Sequence, residues 1–212
     1  MKAIVNVGPH WGIGKNGSLL CTFPEDFKFF RDMTINKTII YGRKTLNTFP
    51  NKCPLKYRTN ILLTHTKSAI SSEAKESVNY YIPMNILKKD DSAVILGASL
   101  KKRIEDEDYS RATILITCPK IKYVLHILNV LNCRDDAIVI GGESIYRQLL
   151  PKCDTVYVTK TNVDDSDADA HFENLDESDD WDITKIIEEN VSSTGIKYKF
   201  LEYSRKEHDM MG

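Results

Sequence analysis

The sequence carries almost no net charge: 29 Lys and Arg stand against 30 Asp and Glu, leaving -1 near neutrality. Without a broad positive field nothing steers a polyanion onto the surface, so nucleic acid is not an expected partner. Long apolar runs are lacking too. None approaches the roughly 20 residues of a membrane span, and the stretch after Lys2 is broken by Asn6, Gly8 and Pro9, too soon for a signal-peptide core. Cysteine is sparse and scattered: Cys21, Cys53, Cys118, Cys133 and Cys153 form no CxxC pair and have no His at zinc-ligand spacing. That excludes a disulfide framework or zinc site and leaves reduced thiols in a cytoplasmic protein with no metal and no membrane association.

A phosphate-binding P-loop is also missing. In the loop from Gly8 to Lys15, Pro9 stands where the first Gly is needed and Asn16 where the magnesium-holding hydroxyl is needed. With 42% hydrophobic and 28% charged residues in 212, the composition is that of a globular chain.

Short β-branched runs alternate with helical patterns, which predicts an α/β fold. Strands are expected at Ala3 to Val7, Thr38 to Gly42, Asn60 to Thr64, Ala93 to Leu96, Ala112 to Thr117, Ala137 to Ile140 and Thr155 to Thr159. Two late ones follow, at Trp181 to Ile187 and Lys197 to Tyr203, the last with a bulge because its aromatics break alternation. Helices are expected at Pro24 to Met33, Arg43 to Phe49, Lys120 to Leu131 and Gly141 to Leu150, the first opened by a Thr22 to Glu25 capping box. Residues 67–111 are polar with weak periodicity and read as an elaboration of a single domain spanning 1–212.

Two strand-to-helix turns carry glycine. Gly42-Arg43-Lys44-Thr45 combines a helix start with two cations and a hydroxyl, which suits an anion, although a solvated basic turn explains the segment equally well. Gly141-Gly142 lets a ligand phosphate approach the backbone, although a tight turn alone would use the same pair. Together they suit a long ligand with two phosphates. Asp26 lies beside Phe27 and a turn before Phe30, so burial could raise its pKa; a first-turn Asp is also simply favourable to the helix dipole. Residues 164–182 hold ten acidic residues and no Lys or Arg. Asp165, Asp167, Asp169 and Asp176 match calcium-loop spacing, but Ala170 replaces the turn Gly, so the segment reads as a solvated acidic loop.

In order along the chain stand AIVNV, GIGKNG, DFKFF, GRKT, PLKYRTN, IVIGGESIY, YVT and YKFLEYSRK. This ordered set resembles the dihydrofolate reductase family over nearly the whole length. PLKYRTN and YKFLEYSRK look like eukaryotic members, whereas an Asp at 26 is the bacterial habit, and the region at 67–111 is longer than in compact members. The resemblance implies a mainly parallel, eight-stranded twisted sheet with flanking helices, NADPH as cofactor and dihydrofolate as hydride acceptor, with antifolate-type small molecules as further ligands and a monomeric state.

Carried over residue by residue, the resemblance implies that Asp26 binds the pterin and assists its protonation, with Thr159 behind it. Arg58 would hold the glutamate carboxylate, and Ile4, Val5, Asn6, Phe27, Phe30, Phe49, Leu55 and Ile140 would line the folate pocket. The same transfer places the cofactor against Asn6, Ile13, Gly14, Lys15, Gly17, Ser18, Leu19, Gly42, Arg43, Lys44, Thr45, Leu63, Thr64, His65, Ile140, Gly141, Gly142, Glu143, Ser144, Ile145 and Tyr146. Three departures stand out. Leu19-Leu20-Cys21 replaces the family's Leu-Pro-Trp, Asn6 replaces a small apolar residue, and His65 stands where an Arg commonly reads the cofactor's 2'-phosphate. Cys21 and Asn6 leave as an alternative a catalytically weakened folate- or nucleotide-binding relative; a further one is another NADPH-dependent reductase of the same fold, such as the pyrimidine reductase of riboflavin synthesis, against which Asp26 and Arg58 together argue.

Overall fold

The computed structural model describes residues 1–66, 70–83 and 112–207. In chain order the elements are β1 (Lys2–Val7), β2 (Gly12–Lys15), β3 (Ser18–Leu19), α1 (Pro24–Thr34), β4 (Thr38–Gly42), α2 (Arg43–Leu46), β5 (Thr59–Leu63), α3 (Ser72–Glu76) and β6 (Tyr80–Pro83). Then come β7 (Ile114–Cys118), α4 (Ile121–Val130), β8 (Ile138–Gly141), α5 (Glu143–Leu149), β9 (Thr155–Thr161), β10 (Ala170–His171), β11 (Trp181–Val191) and β12 (Lys197–Arg205).

The continuous apolar runs pair in parallel because both faces of each are covered. Ile40, Ile61, Ile116 and Val139 enter one core cluster, and their chain neighbours Ile39, Leu62, Leu115 and Ile138 enter the other, on the opposite face. The main sheet runs β11-β12-β9-β1-β8-β4-β5-β7-β6, and only β11 and β12 join it antiparallel. Among the described residues it therefore has nine strands, not the expected eight. The extra edge strand is β6, which arises within 67–111 and pairs with β7. Ile70 and Ala74 from the same stretch are buried in the second cluster. The strand expected at Ala93 to Leu96 lies outside the described residues.

Other expectations need correction. No capping box forms: Phe23 is the N-cap of α1, with no side-chain cap, and the Glu25 carboxylate accepts the Ser193 N–H at 2.8 Å. A long-range backbone donor outcompetes the local one. The helix expected to reach Phe49 ends at Leu46 and continues as isolated turns through Thr48 and Phe49. The bulges lie on β11, not on the last strand: Ile183 and Lys185 face consecutive residues Tyr203 and Glu202, as do Ile186 and Glu188 with Leu201 and Phe200. β12 itself stays in unbroken register with β9 from Tyr198 to Ser204, and its aromatics Tyr198, Phe200 and Tyr203 are buried there.

The acidic segment is not merely solvated. β10 adds to the β2–β3 hairpin as a separate three-stranded sheet, and Asp165 is buried beneath it. Its carboxylate accepts the N–H groups of Gly12 at 2.7 Å and His10 at 3.0 Å, and pairs with His10 Nδ1 at 2.8 Å. A Cβ on Gly8 would sit 2.5 Å from the Asp165 side chain, so this approach needs glycine. Asp169 accepts the Asn16 N–H at 2.8 Å, and Lys15 pairs with Asp167. Burial alone would raise the Asp165 pKa, but the Gly12 N–H and the His10 contacts outweigh it and hold it below the usual carboxylate range.

Removing this carboxylate strands two backbone donors. Asp165→Ala is expected to cost about 3 kcal/mol in urea unfolding at pH 7. A depressed folded pKa means the contribution is present above the unfolded value and is lost as pH falls through the folded one. The gap between wild type and variant should therefore close on acidification below about pH 4; a gap that persists there would reject the charge as its origin.

Candidate active site

One cavity of about 1360 Å³ runs along the carboxyl ends of β1, β4, β5, β7 and β8. Parallel strands place their outgoing loops on the same edge, which makes this crevice the natural ligand site of the sheet. Its volume exceeds that of a pocket for one small ligand, roughly 300 to 1,000 Å³. Every residue assigned from the sequence lines it, from Ile4 on β1 to Thr159 on β9.

Asp26 lies in the first turn of α1 and points into one end. Thr159 Oγ1 donates to its Oδ1 at 2.6 Å, and Asn6 Nδ2 donates to its Oδ2 at 2.9 Å. Asn6 and Thr159 are directly paired on neighbouring parallel strands, so their side chains emerge together on this face. Burial raises the Asp26 pKa, and these two bonds lower it by less, so the net shift is upward. The carboxyl is thereby moved toward neutrality, where it can serve as an acid.

Arg58 lines the same end and is buried. Nε donates to Thr34 Oγ1 at 3.1 Å, and an Nη donates to the Lys56 carbonyl at 2.6 Å. No carboxylate pairs with it among the described residues. Burial first, then the nearby Arg31 charge, pushes its pKa down. Asn60, wholly buried on β5, clamps the loop that carries it: its amide donates to the carbonyls of Leu55 and Arg58 at 3.0 and 3.1 Å, and its oxygen accepts from Leu55 N–H and Tyr41 hydroxyl at 3.1 Å. Phe27, Phe30, Phe49 and Leu55 give the walls between the two polar groups an apolar surface.

At the other end the two glycine turns meet. Gly141 has φ +125°, where a side chain is strained, and a Cβ there would lie 3.1 Å from Thr45 Oγ1. The turn after β8 thus packs against the start of α2 with no room for a side chain. Arg43 and Lys44 are exposed beside it, and Thr64 and His65 close β5 next to them. Tyr146 faces the cavity, but its hydroxyl is committed to the Ile4 carbonyl at 2.6 Å.

A model of the dihydrofolate reductase family matches residues 1–106 and 104–205. The chain belongs to the dihydrofolate reductase family. Dihydrofolate reductase of Neisseria gonorrhoeae is 25% identical over 194 residues, covering 92% of this chain and 91% of the relative. That of Bacillus subtilis is 26% identical over 204 residues, covering 94% and 91%. The bifunctional dihydrofolate reductase-thymidylate synthase of Daucus carota is 28% identical over 216 residues, 96% of this chain but 33% of the relative. Among solved structures, dihydrofolate reductase from Enterococcus faecalis complexed with NADP(H) and RAB-propyl superposes with a TM-score of 0.63 at 22% identity, covering 97% and 96% of the two chains. That likeness establishes the fold.

The dihydrofolate reductase resemblance did not supply everything that lines this cavity. Pro119 and Lys120, which join β7 to α4, and Ile121 and Lys122, which open α4, belong to it, as do Asn16, Leu20, Cys21, Asn47, Thr48, Pro50, Gln148, Asp169 and Ala170. The first group has no signature until the sheet order is known. It is a third strand-to-helix turn on the carboxyl edge, and it brings two lysines to the end that already holds Arg43 and Lys44. Cys21 lines the cavity before α1 and donates to Asn6 Oδ1 at 3.5 Å.

Proposed function

We infer that this chain reduces 7,8-dihydrofolate to 5,6,7,8-tetrahydrofolate with NADPH. The observation that carries the reading is the pairing, in one apolar-walled compartment, of Asp26, whose pKa burial raises, with the buried Arg58, which pairs with no carboxylate among the described residues. They suit the two polar ends of a folate. Asp26 accepts from the pterin's amino group and ring nitrogen and assists delivery of a proton to N5. Arg58 presents a planar fork to the glutamate α-carboxylate. Phe27, Phe30, Phe49 and Leu55 exclude water along the rings between them.

The basic end fits a phosphorylated dinucleotide. The side-chain-free approach at Gly141 and Gly142 leaves backbone for a diphosphate, and Arg43, Lys44 and Lys120 supply charge, and His65 a ring nitrogen, for the 2'-phosphate. When bound, NADPH supplies the hydride for C6 of the pterin. The residues do the rest: they align the two ligands along one cavity and hold the proton source at the pterin end. Because protonated Asp26 assists the reaction, turnover falls as pH rises through its pKa.

A monomeric cytoplasmic enzyme with no nucleic-acid partner belongs to the same proposal, and the small net charge supports the last of these. No helix among the described residues is long and apolar enough to cross a membrane. A single domain, with 67–111 as an elaboration, is supported by the packing of residues 70–83 into the main sheet and core.

The test is cofactor absorbance on adding dihydrofolate, with methotrexate and NADH controls. Methotrexate-sensitive oxidation of NADPH, with NADH at least about tenfold poorer in kcat/KM, is the expected result for a site that pairs a 2'-phosphate with several cations. Methotrexate binding without oxidation would overturn the catalytic reading. Equal use of NADH would overturn the assignment of the basic end.

A further inference from the structure

Two neutral donors, and no cation, hold the Asp26 carboxylate among the described residues. Asn6 comes from β1 and Thr159 from β9, one to each oxygen. The titratable groups facing it are the Cys21 thiol, from the segment before α1, and the Tyr146 hydroxyl of α5, already spent on the Ile4 carbonyl.

The orientation of the Asn6 amide follows from its neighbours. A carboxylate only accepts, so Nδ2 must face Asp26, and Oδ1 is left to accept from the Cys21 thiol. Cys21 Sγ also lies 4.0 Å from Thr161 Oγ1, whose own hydrogen is spent on the Val7 carbonyl. The three side chains form a directed chain, thiol to amide to carboxylate, that ends on the proton source.

We propose that Asn6 is a positioning residue of the reduction: its amide, oriented by Cys21, holds the Asp26 carboxylate and favours its charged form, setting the pH above which turnover falls. A donor on a carboxylate oxygen stabilises the anion. Asn6 therefore works against burial, and the balance between them tunes the acid. Deleting the amide tips that balance toward the neutral carboxyl, so the acid should titrate at higher pH.

The experiment reads the Asp26 carboxyl directly, by 13C NMR of labelled aspartate in the ligand-free protein, with Asp26→Asn assigning the resonance. Asn6→Ala should raise the Asp26 pKa by about one unit and move the alkaline limb of the kcat profile upward by the same amount. Cys21→Ala should move both in the same direction by less, and Cys21→Ser, which keeps a donor, should bring the Asp26 titration back toward wild type. An unmoved Asp26 titration in Asn6→Ala overturns the proposal, as does a kinetic limb that moves while the titration does not. Should Asn6→Ala not fold, the Cys21→Ala and Cys21→Ser pair decides: equal titrations in those two variants overturn it. The kinetic arm rests on the reductase reading, but the NMR arm does not, so a protein without turnover would sink that reading and still test this one.

Discussion

Asp26→Asn is expected to lower kcat for dihydrofolate by about 10² to 10⁴ near pH 7, with the fold intact. The side chain stays nearly isosteric in a half-buried place at the start of α1, so the packing against Phe27 and Phe30 survives. What is lost is chemical. An amide has no proton to give, and its NH2 group would meet the Asn6 Nδ2 donor that now serves Oδ2 at 2.9 Å. Thr159 can still donate to the remaining oxygen. The variant should bind the cofactor as before, and its deficit should shrink as pH is lowered and solvent protons replace the missing acid. Steady-state rates from pH 5 to 9, beside a folding check by circular dichroism, measure this. Full activity at neutral pH would remove Asp26 from the chemistry, whatever its geometry.

The fold was legible where local pattern and burial agree. Thr38–Gly42 matches its expected boundaries because five buried residues in a row, bounded by a helix end and a glycine, admit little else. The small sheet of β2, β3 and β10 was not legible: strands of two to four residues carry no periodicity, and β10, at Ala170, reaches β2, at Gly14, from far along the chain. Asp165 failed to stand out for a related reason. Ten acidic residues in a row of nineteen look solvated, and only the distant Gly8 and Gly12 make room for one of them beneath the hairpin. The Thr22 capping box was a correct local pattern defeated by Ser193, 168 positions from Glu25.

The site divides in the same way. Asp26 and Arg58 were assigned through the family's motifs and the glycine turns through their place between strand and helix, and all of them line the cavity. The donor to Oδ2 was not found, although Asn6 itself was assigned to the pocket. What makes Asn6 a donor is its register opposite Thr159, and register between β1 and β9 is a property of the sheet, not of either segment. Pro119 to Lys122 went unnoticed because a lysine-bearing turn without glycine has no signature until its strand is known to lie beside β5.

Arg58→Leu should raise KM for dihydrofolate by about 10- to 100-fold, the loss expected of a buried charge-assisted pair, while kcat changes by less than a few-fold. Arg58→Lys should fall between, since a lysine keeps the charge and loses the planar fork. The stability of the ligand-free protein gives a second readout. A buried guanidinium without a carboxylate is held at a desolvation cost, and burial together with Arg31 already pushes its pKa down. Replacing it by an apolar side chain removes that cost, at the loss of the bonds to Thr34 and the Lys56 carbonyl. Urea unfolding of Arg58→Leu should therefore show no decrease in stability, even as substrate affinity collapses. A purely structural arginine predicts the reverse: an unfolded or weakened protein with an unchanged KM in whatever fraction remains folded. The opposition between those outcomes separates a residue kept for the ligand from one kept for the fold, and the Asn60 clamp, which spends three bonds on holding this loop and is itself braced by Tyr41, fixes the place from which the guanidinium acts.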